Sequence, residues 1–363
     1  MKILFDHQAF SNQAVGGVSR YVFELTSRLA VNCDVRVSGL FFQNRYAKEL
    51  DRNNHDALTF DSRTAPVIKA SKQINSLHTW YLRATRSFDI VHETFYFGGA
   101  IKGQVTVVTC YDLIHELFPS YFKDSAVTIR AKQKIFNNAD HIIAISQQTK
   151  IDLQSFYGID SSKVSVIYLG ADLKLDMFKP DSERQLVTPY FIYVGKRKGY
   201  KNWPVLLEAL SKLTGMGVRV KLWCLGGGRF EKAEMDLMKR LAIDGLCAQH
   251  DPSDGELGSF YANAIALVCT SLYEGFGLPV VEAMKSGCPV ISTAAGSLVE
   301  VTNGCAMSFS PNDVDTLTEH MLRLLDDGEF RKGLIDKGKV NASRFSWAAC
   351  ADDTLALYRQ IQT

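Results

Sequence analysis

The sequence predicts an α/β protein built from two Rossmann-like, doubly wound domains, over residues 1–175 and 188–346, and three observations carry that expectation. At 363 residues the chain exceeds one ordinary hydrophobic core. Short continuous apolar runs, as strands buried on both faces require, alternate with helix-period segments along both halves. Between the halves, Asp172 to Thr188 is polar, with Pro180 inside it and Pro189 just after, and reads as a linker.

Lys2 to Asp6 is the opening strand. The loop after it ends in Gly16-Gly17, and Val18, Tyr21, Val22, Leu25 and Leu29 then share one helix face. Glycines there let the backbone approach a ligand closely, although a plain turn explains two glycines equally well. Asp34 to Phe42 reads as a second strand. Lys69 to Phe88 combines Lys69, Lys72, Arg83 and Arg86 with Trp80, Tyr81 and Leu82. It reads as a helix with a solvated basic face, or as a patch that meets lipid headgroups. Asp89–His92 and Val105–Thr109 are strand-like, and the second leads into a cluster of Asp112, His115 and Glu116. His141–Ile145 is a strand, Ser146 opens a helix ending near Gly158, and Val164–Leu169 closes the half.

In the second half Tyr190–Val194 runs into Gly195-Lys196-Arg197-Lys198-Gly199-Tyr200-Lys201. Three lysines and an arginine within six residues at a strand end can neutralise a diphosphate, or can form a solvated turn. Val218–Leu225 is a strand ending at Gly226-Gly227-Gly228, and Asp254–Asn263 is a helix. The most informative stretch follows. Ile265–Cys269 is an apolar strand, Tyr273-Glu274-Gly275-Phe276-Gly277 a glycine loop, Pro279 the start of a helix and Gly287 its end. Such a loop brings backbone N–H groups and a positive helix end to one point, which suits a phosphate. Glu274 and Glu282 flank it. Carboxylates beside an anion site suit a ligand carrying both phosphate and hydroxyl groups, while capping and a solvated face explain them too. Asp313-Val314-Asp315 follows Pro311-Asn312 and reads as a helix start rather than a metal site. Leu317–Leu325 and Trp347–Ile361 are helical.

Glu274, Gly275-Phe276-Gly277-Leu278-Pro279 and Glu282-Ala283-Met284 together resemble the signature of retaining glycosyltransferases of family 4, which have the GT-B fold. The resemblance covers nearly the whole chain and is strongest from Tyr190 to Glu300. It implies two domains facing a cleft, acceptor on the first and nucleotide-sugar on the second, with a last helix (about 347–363) crossing back to the first domain. It implies that Glu274 contacts the donor sugar, that amides near Gly277 and Leu278 hold the diphosphate, and that Glu282 holds the ribose. Arg197 and Lys201 match the family's diphosphate contacts, with Lys196 or Lys198 as substitutes, and the loop at Gly16 and Gly17 faces the donor. Asp112 and His115 are the candidate acceptor-side groups. Relatives often carry a histidine just before that aspartate, where this chain has Tyr111. Gly-Gly-Val-Ser-Arg-Tyr resembles a subgroup associated with mannosyl transfer in bacterial surface polysaccharides. The implied activity is retaining transfer of a sugar, mannose from GDP-mannose, to a glycan or lipid-linked acceptor, without metal or other cofactor. A UDP-sugar donor, a sugar-nucleotide epimerase and a two-domain sugar-binding protein are the alternatives.

The net charge of +2 gives no global pull toward nucleic acid. Residues 1–180 balance to +4 and the rest to −2, compatible with an anionic membrane surface beside the first half. The eight cysteines show no metal-pair spacing and lie mostly in apolar runs. Met1 to Asp6 reads as a strand rather than a signal peptide, and no apolar stretch approaches transmembrane length, so a cytoplasmic protein, possible at the inner membrane face, is expected.

Overall fold

The computed structural model describes residues 1–59, 64–99, 104–172 and 188–362. The chain forms two compact units: Met1–Gly170 with Ser346–Thr363, and Ala171–Phe345. Most of the segment read as a linker, including Pro180, lies outside the described residues.

The first unit contains β1 (Lys2–Phe5), α1 (Gly17–Leu29), β2 (Asp34–Val37), α2 (Ala65–Thr85), β3 (Ile90–Glu93), β4 (Val105–Cys110), α3 (Ser125–Asn138), β5 (His141–Ala144), α4 (Gln147–Tyr157) and β6 (Val164–Val166). Its sheet is parallel in the order β2-β1-β3-β4-β5-β6. Helices on both faces of a parallel sheet explain the unbroken apolar runs: Ile3, Leu4, Phe5, Ile90, Val91, Val107, Val108, Ile142 and Ile143 are fully buried. Asp34 to Phe42 is not one strand. It breaks after Val37 at Gly39, whose φ of +123° turns the chain. Phe41–Phe42 then pairs with Leu58–Thr59 in a small separate sheet. Ser146 caps α4 through its hydroxyl, and Gly158 ends it in the left-handed conformation.

Sequence order reaches the second unit with β7 (Tyr190–Val194), α5 (Trp203–Gly215), β8 (Lys221–Leu225), α6 (Lys232–Arg240), β9 (Cys247–His250), α7 (Asp254–Asn263), β10 (Ala266–Cys269), α8 (Leu278–Lys285), β11 (Val290–Thr293), β12 (Met307–Phe309), α9 (Val314–Asp326) and α10 (Gly328–Ala342). Its parallel sheet runs β9-β8-β7-β10-β11-β12, the Rossmann order with the switch point between β7 and β10. Asp313 caps α9, accepting from Thr316 N, which is a helix-start role.

The last helix, α11 (Trp347–Ile361), belongs to the first unit and packs along α1. Trp347 and Tyr358 are buried there, and the Tyr358 hydroxyl meets His92 Nδ1 at the end of β3. Gly170 is required at the entry. A Cβ on it would sit 2.2 Å from the Trp347 nitrogen. Among the described residues no helix is long and apolar enough to cross a membrane.

Candidate active site

Both strands at the switch point of the second sheet end in loops that converge. After β7 the chain turns through Gly195 and a single 3-10 turn, Gly199–Lys201. After β10 it passes Thr270 and Ser271 to Glu274. The two loops are tied by backbone: Leu272 N donates to Tyr200 O at 2.7 Å and Thr270 Oγ1 to Lys201 O at 2.8 Å. This fixes Lys201 against Glu274, with Nζ 2.6 Å from Oε1. Ser271 Oγ donates to the same oxygen at 2.6 Å. Among the described residues Oε2 has no hydrogen-bond partner. Burial works to lower the Lys201 pKa, but the Glu274 carboxylate outweighs it and holds the ammonium charged, above the ordinary lysine value.

Glu274 is also fixed from behind. Its carbonyl accepts from Ser297 N at 3.1 Å and Ser297 Oγ at 2.9 Å. Gly296, at φ +57°, lets that loop close, since a Cβ there would lie 2.7 Å from the Glu274 carbonyl oxygen. Gly277 caps α8 in the left-handed conformation at φ +92°, where a Cβ would strike Leu298. No side chain caps this helix; Pro279 has no N–H and Val280 and Val281 N donate to Gly277 O, so the Leu278 N–H and the positive helix end face the loop. Tyr193, Cys269, Ser271, Glu274, Gly277 and Pro279 line one small hollow. A cation, a carboxylate, a hydroxyl and a helix N-terminus thus meet at one strand-end crevice. Such a set has the chemistry to receive a phosphate next to a polyhydroxyl group.

The other expected residues divide. Leu278 is the first residue of α8, behind Gly277. Glu282 is buried one turn further along and accepts from Tyr261 OH at 3.2 Å. It does not line the hollow with Glu274. Arg197 is placed differently from Lys201. Its guanidinium is buried and engaged: Nε donates to Glu234 at 2.9 Å, Nη1 to Gly226 O at 3.1 Å and Nη2 to Gly228 O at 2.8 Å. It also lies over Phe230. It holds the triple-glycine loop. Lys196 and Lys198 are exposed, and Lys198 pairs with Glu231.

Gly16, Gly17, Asp112 and His115 are in the first unit. Gly16 precedes α1, its carbonyl accepting from Ser19 Oγ. Asp112 and Glu116 bracket Lys132, whose fully buried Nζ lies 3.0 Å from Glu116 and donates to Asp112 O at 2.8 Å. His115 stacks on Phe122, and burial, then the Lys132 charge, lowers its pKa. Its Nδ1 has no partner among the described residues. Tyr111 is buried, donating to Thr94 O at 3.0 Å, and so does not stand in for a histidine. Sequence reasoning missed Ser271, Ser297 and Lys132. Ser271 had a positional signal, two residues past a strand end beside the glycine loop, whereas Lys132 lies on a helix with nothing local to mark it.

Comparison with known proteins bears on the family and the fold. Residues 15–175 match Glycosyltransferase Family 4 and residues 177–341 match Glycosyl transferases group 1. The chain is 26% identical to O-antigen chain mannosyltransferase B of Escherichia coli, over 99% of this chain and 100% of that one. It is 28% identical to O-antigen chain mannosyltransferase RfbU of Salmonella typhimurium, over 55% of this chain and 56% of that one. Among solved structures it resembles sucrose-phosphate synthase of Thermosynechococcus elongatus, with a TM-score of 0.80 at 20% identity, covering 99% and 98% of the two chains. It also resembles Anabaena HepE solved with UDP-glucose, with a TM-score of 0.78 at 18% identity, covering 99% and 100%. With two parallel Rossmann-like sheets and adjoining matches over nearly its whole length, the chain belongs to the GT-B glycosyltransferases of family 4 and group 1.

Proposed function

We propose that this protein transfers mannose from GDP-mannose, with retention at the anomeric carbon, to a glycan or lipid-linked saccharide of a surface polysaccharide. The observation that carries the reading is the Lys201–Glu274–Ser271 cluster beside the uncapped N-terminus of α8. The mannosyl assignment draws on the names of the two O-antigen relatives.

In this reading the second unit binds the donor. The diphosphate lies against the amides of Gly277 and Leu278 and takes a share of Lys201, while Glu274 keeps its carboxylate for the sugar. Positive charge develops on the ring as the diphosphate leaves, and a fixed carboxylate beside it favours that state. Lys201 and the helix end stabilise the leaving group without a metal ion. Glu282, held by Tyr261, reaches the ribose. The first unit binds the acceptor near Asp112 and His115. A neutral His115 accepts the hydroxyl proton, or the departing diphosphate does. Helix α2 adds a membrane contact: Val67, Ile74, Leu77 and Tyr81, at 41–67% exposure, form one apolar stripe.

The test is product analysis. With GDP-mannose and a mannose-accepting oligosaccharide, the new linkage should be α by NMR and should form in excess chelator. A β product would remove retention, chelator-abolished activity would restore a metal, and transfer from a UDP-sugar alone would replace the donor. Conversion of donor without acceptor would mark an epimerase.

A further inference from the structure

The first sheet has a switch point of its own, between β1 and β3, and a second cavity lies there. It encloses about 250 Å³ and is lined by Asp6 and Gln8 after β1, Glu93 at the end of β3, and Phe97 to Gly99 beyond it. One flank of α2, Ser76, Thr79, Trp80 and Arg83, forms the remaining wall at helical spacing. That flank is separate from the Val67–Tyr81 stripe. Ligands of open α/β sheets bind at such switch points.

The floor is polar and built. Arg83 is 95% buried by side chain, with Nη1 on Glu93 Oε1 at 2.7 Å. Its buried Nη2 has no partner among the described residues. Gly98 lies flat on the Glu93 carboxyl, where any Cβ would be 2.0 Å from Oε2. Asp6 accepts from Gln8 N, Gln8 Nε2, Thr94 N and Thr94 Oγ1. The Gln8 amide oxygen in turn fixes the loop through Phe97 N. One guanidinium faces two carboxyls, and burial first, then Asp6, pushes the Glu93 carboxyl well up. Burial likewise keeps His7 neutral. With its one lining guanidinium paired to Glu93, the cavity presents neither a cluster of cations for a phosphate nor a free set of carboxylates for a cation. It offers donors and acceptors close together under an aromatic rim, with Trp80 65% and Phe97 58% exposed. A flat apolar face over paired donors and acceptors matches a pyranose, which presents C–H groups on a face and hydroxyls at the edge.

We propose that this cavity binds one neutral sugar ring of the acceptor, stacked on Trp80 with its hydroxyls on Arg83, Glu93 and Gln8. The volume suits a single ring, below that of pockets for larger ligands. The inference rests on the glycosyl-transfer reading for the word acceptor alone, because the binding itself is tested without donor. Saturation-transfer NMR on the full chain would be run with methyl α-mannoside, methyl α-glucoside and methyl N-acetyl-β-glucosaminide. At least one should receive saturation, strongest on the C–H protons of one ring face. Trp80→Ala should abolish it, and Glu93→Gln should weaken binding about fivefold, the loss of one hydrogen bond. GDP should neither displace the glycoside nor lose its own thermal shift in either variant. No saturation with any glycoside, saturation unchanged in Trp80→Ala, or displacement by GDP would overturn the subsite. Absence of a GDP shift in the wild type would instead count against the donor reading. Trp80 is exposed, so its variant folds even if Glu93→Gln does not.

Discussion

Lys201 and Glu274 define what each other can do. As an ion pair at 2.6 Å they neutralise one another, and an arriving diphosphate competes for the lysine. Lys201→Ala should weaken nucleoside diphosphate binding by about 1.5–3 kcal/mol, the range for a charge-assisted contact. Glu274→Gln should leave that affinity unchanged or slightly tighter, because it frees Lys201. Turnover should drop roughly tenfold to a thousandfold, as for single electrostatic groups elsewhere. If Glu274 only supported the loop, the variant would melt earlier and keep its turnover per folded molecule. Arg197 makes the opposite case. Its contacts with Glu234, Gly226 and Gly228 are internal, so Arg197→Ala strands a carboxylate and should destabilise the second unit by about 3 kcal/mol. An unchanged melting temperature with lost diphosphate affinity would return Arg197 to the ligand.

At the scale of elements, β3 and α11 are clasped by His92, which contacts Thr109 and Tyr358. Burial holds its pKa down to about 3, from an ordinary 6.5. Between those values the unfolded chain binds the proton and the folded chain does not. Stability is therefore complete above pH 6.5 and falls as pH drops toward 3, by at most about 1.4 kcal/mol per pH unit from this group. Urea unfolding at pH 7 and pH 5 should differ by about 2 kcal/mol through His92, with His7, also lowered by burial, adding to it. His92→Gln should flatten the slope, and an unchanged slope would remove His92 as its source. Much of this architecture was legible in the sequence. Apolar runs marked the central strands because both sheet faces are covered, and Gly277-Leu278-Pro279 marked the start of α8. The cation beside Glu274 was identifiable as Lys201, but the engagement of Arg197 with Glu234 was not, because local charge density does not reveal an internal partner 37 residues away. The Arg83–Glu93–Asp6 cluster was invisible for a similar reason, since crossover topology alone brings β1, β3 and α2 together.

For the whole molecule, the second unit is one continuous segment and the first is completed by the last helix. Residues 171–345 alone should therefore fold and bind GDP, whereas a chain ending at 345 should lose the first unit, because α11 supplies the buried Trp347 and Tyr358. Loss of GDP binding by the isolated segment would show that its donor site needs the other unit. The placement of the donor diphosphate at the β7–β10 switch point is most directly tested by calorimetric titration of GDP into wild type, Lys201→Ala and Glu274→Gln. GDP should bind the wild type and Glu274→Gln alike and bind Lys201→Ala at least about tenfold more weakly. Equal affinity in wild type and Lys201→Ala, with both folded, would contradict it.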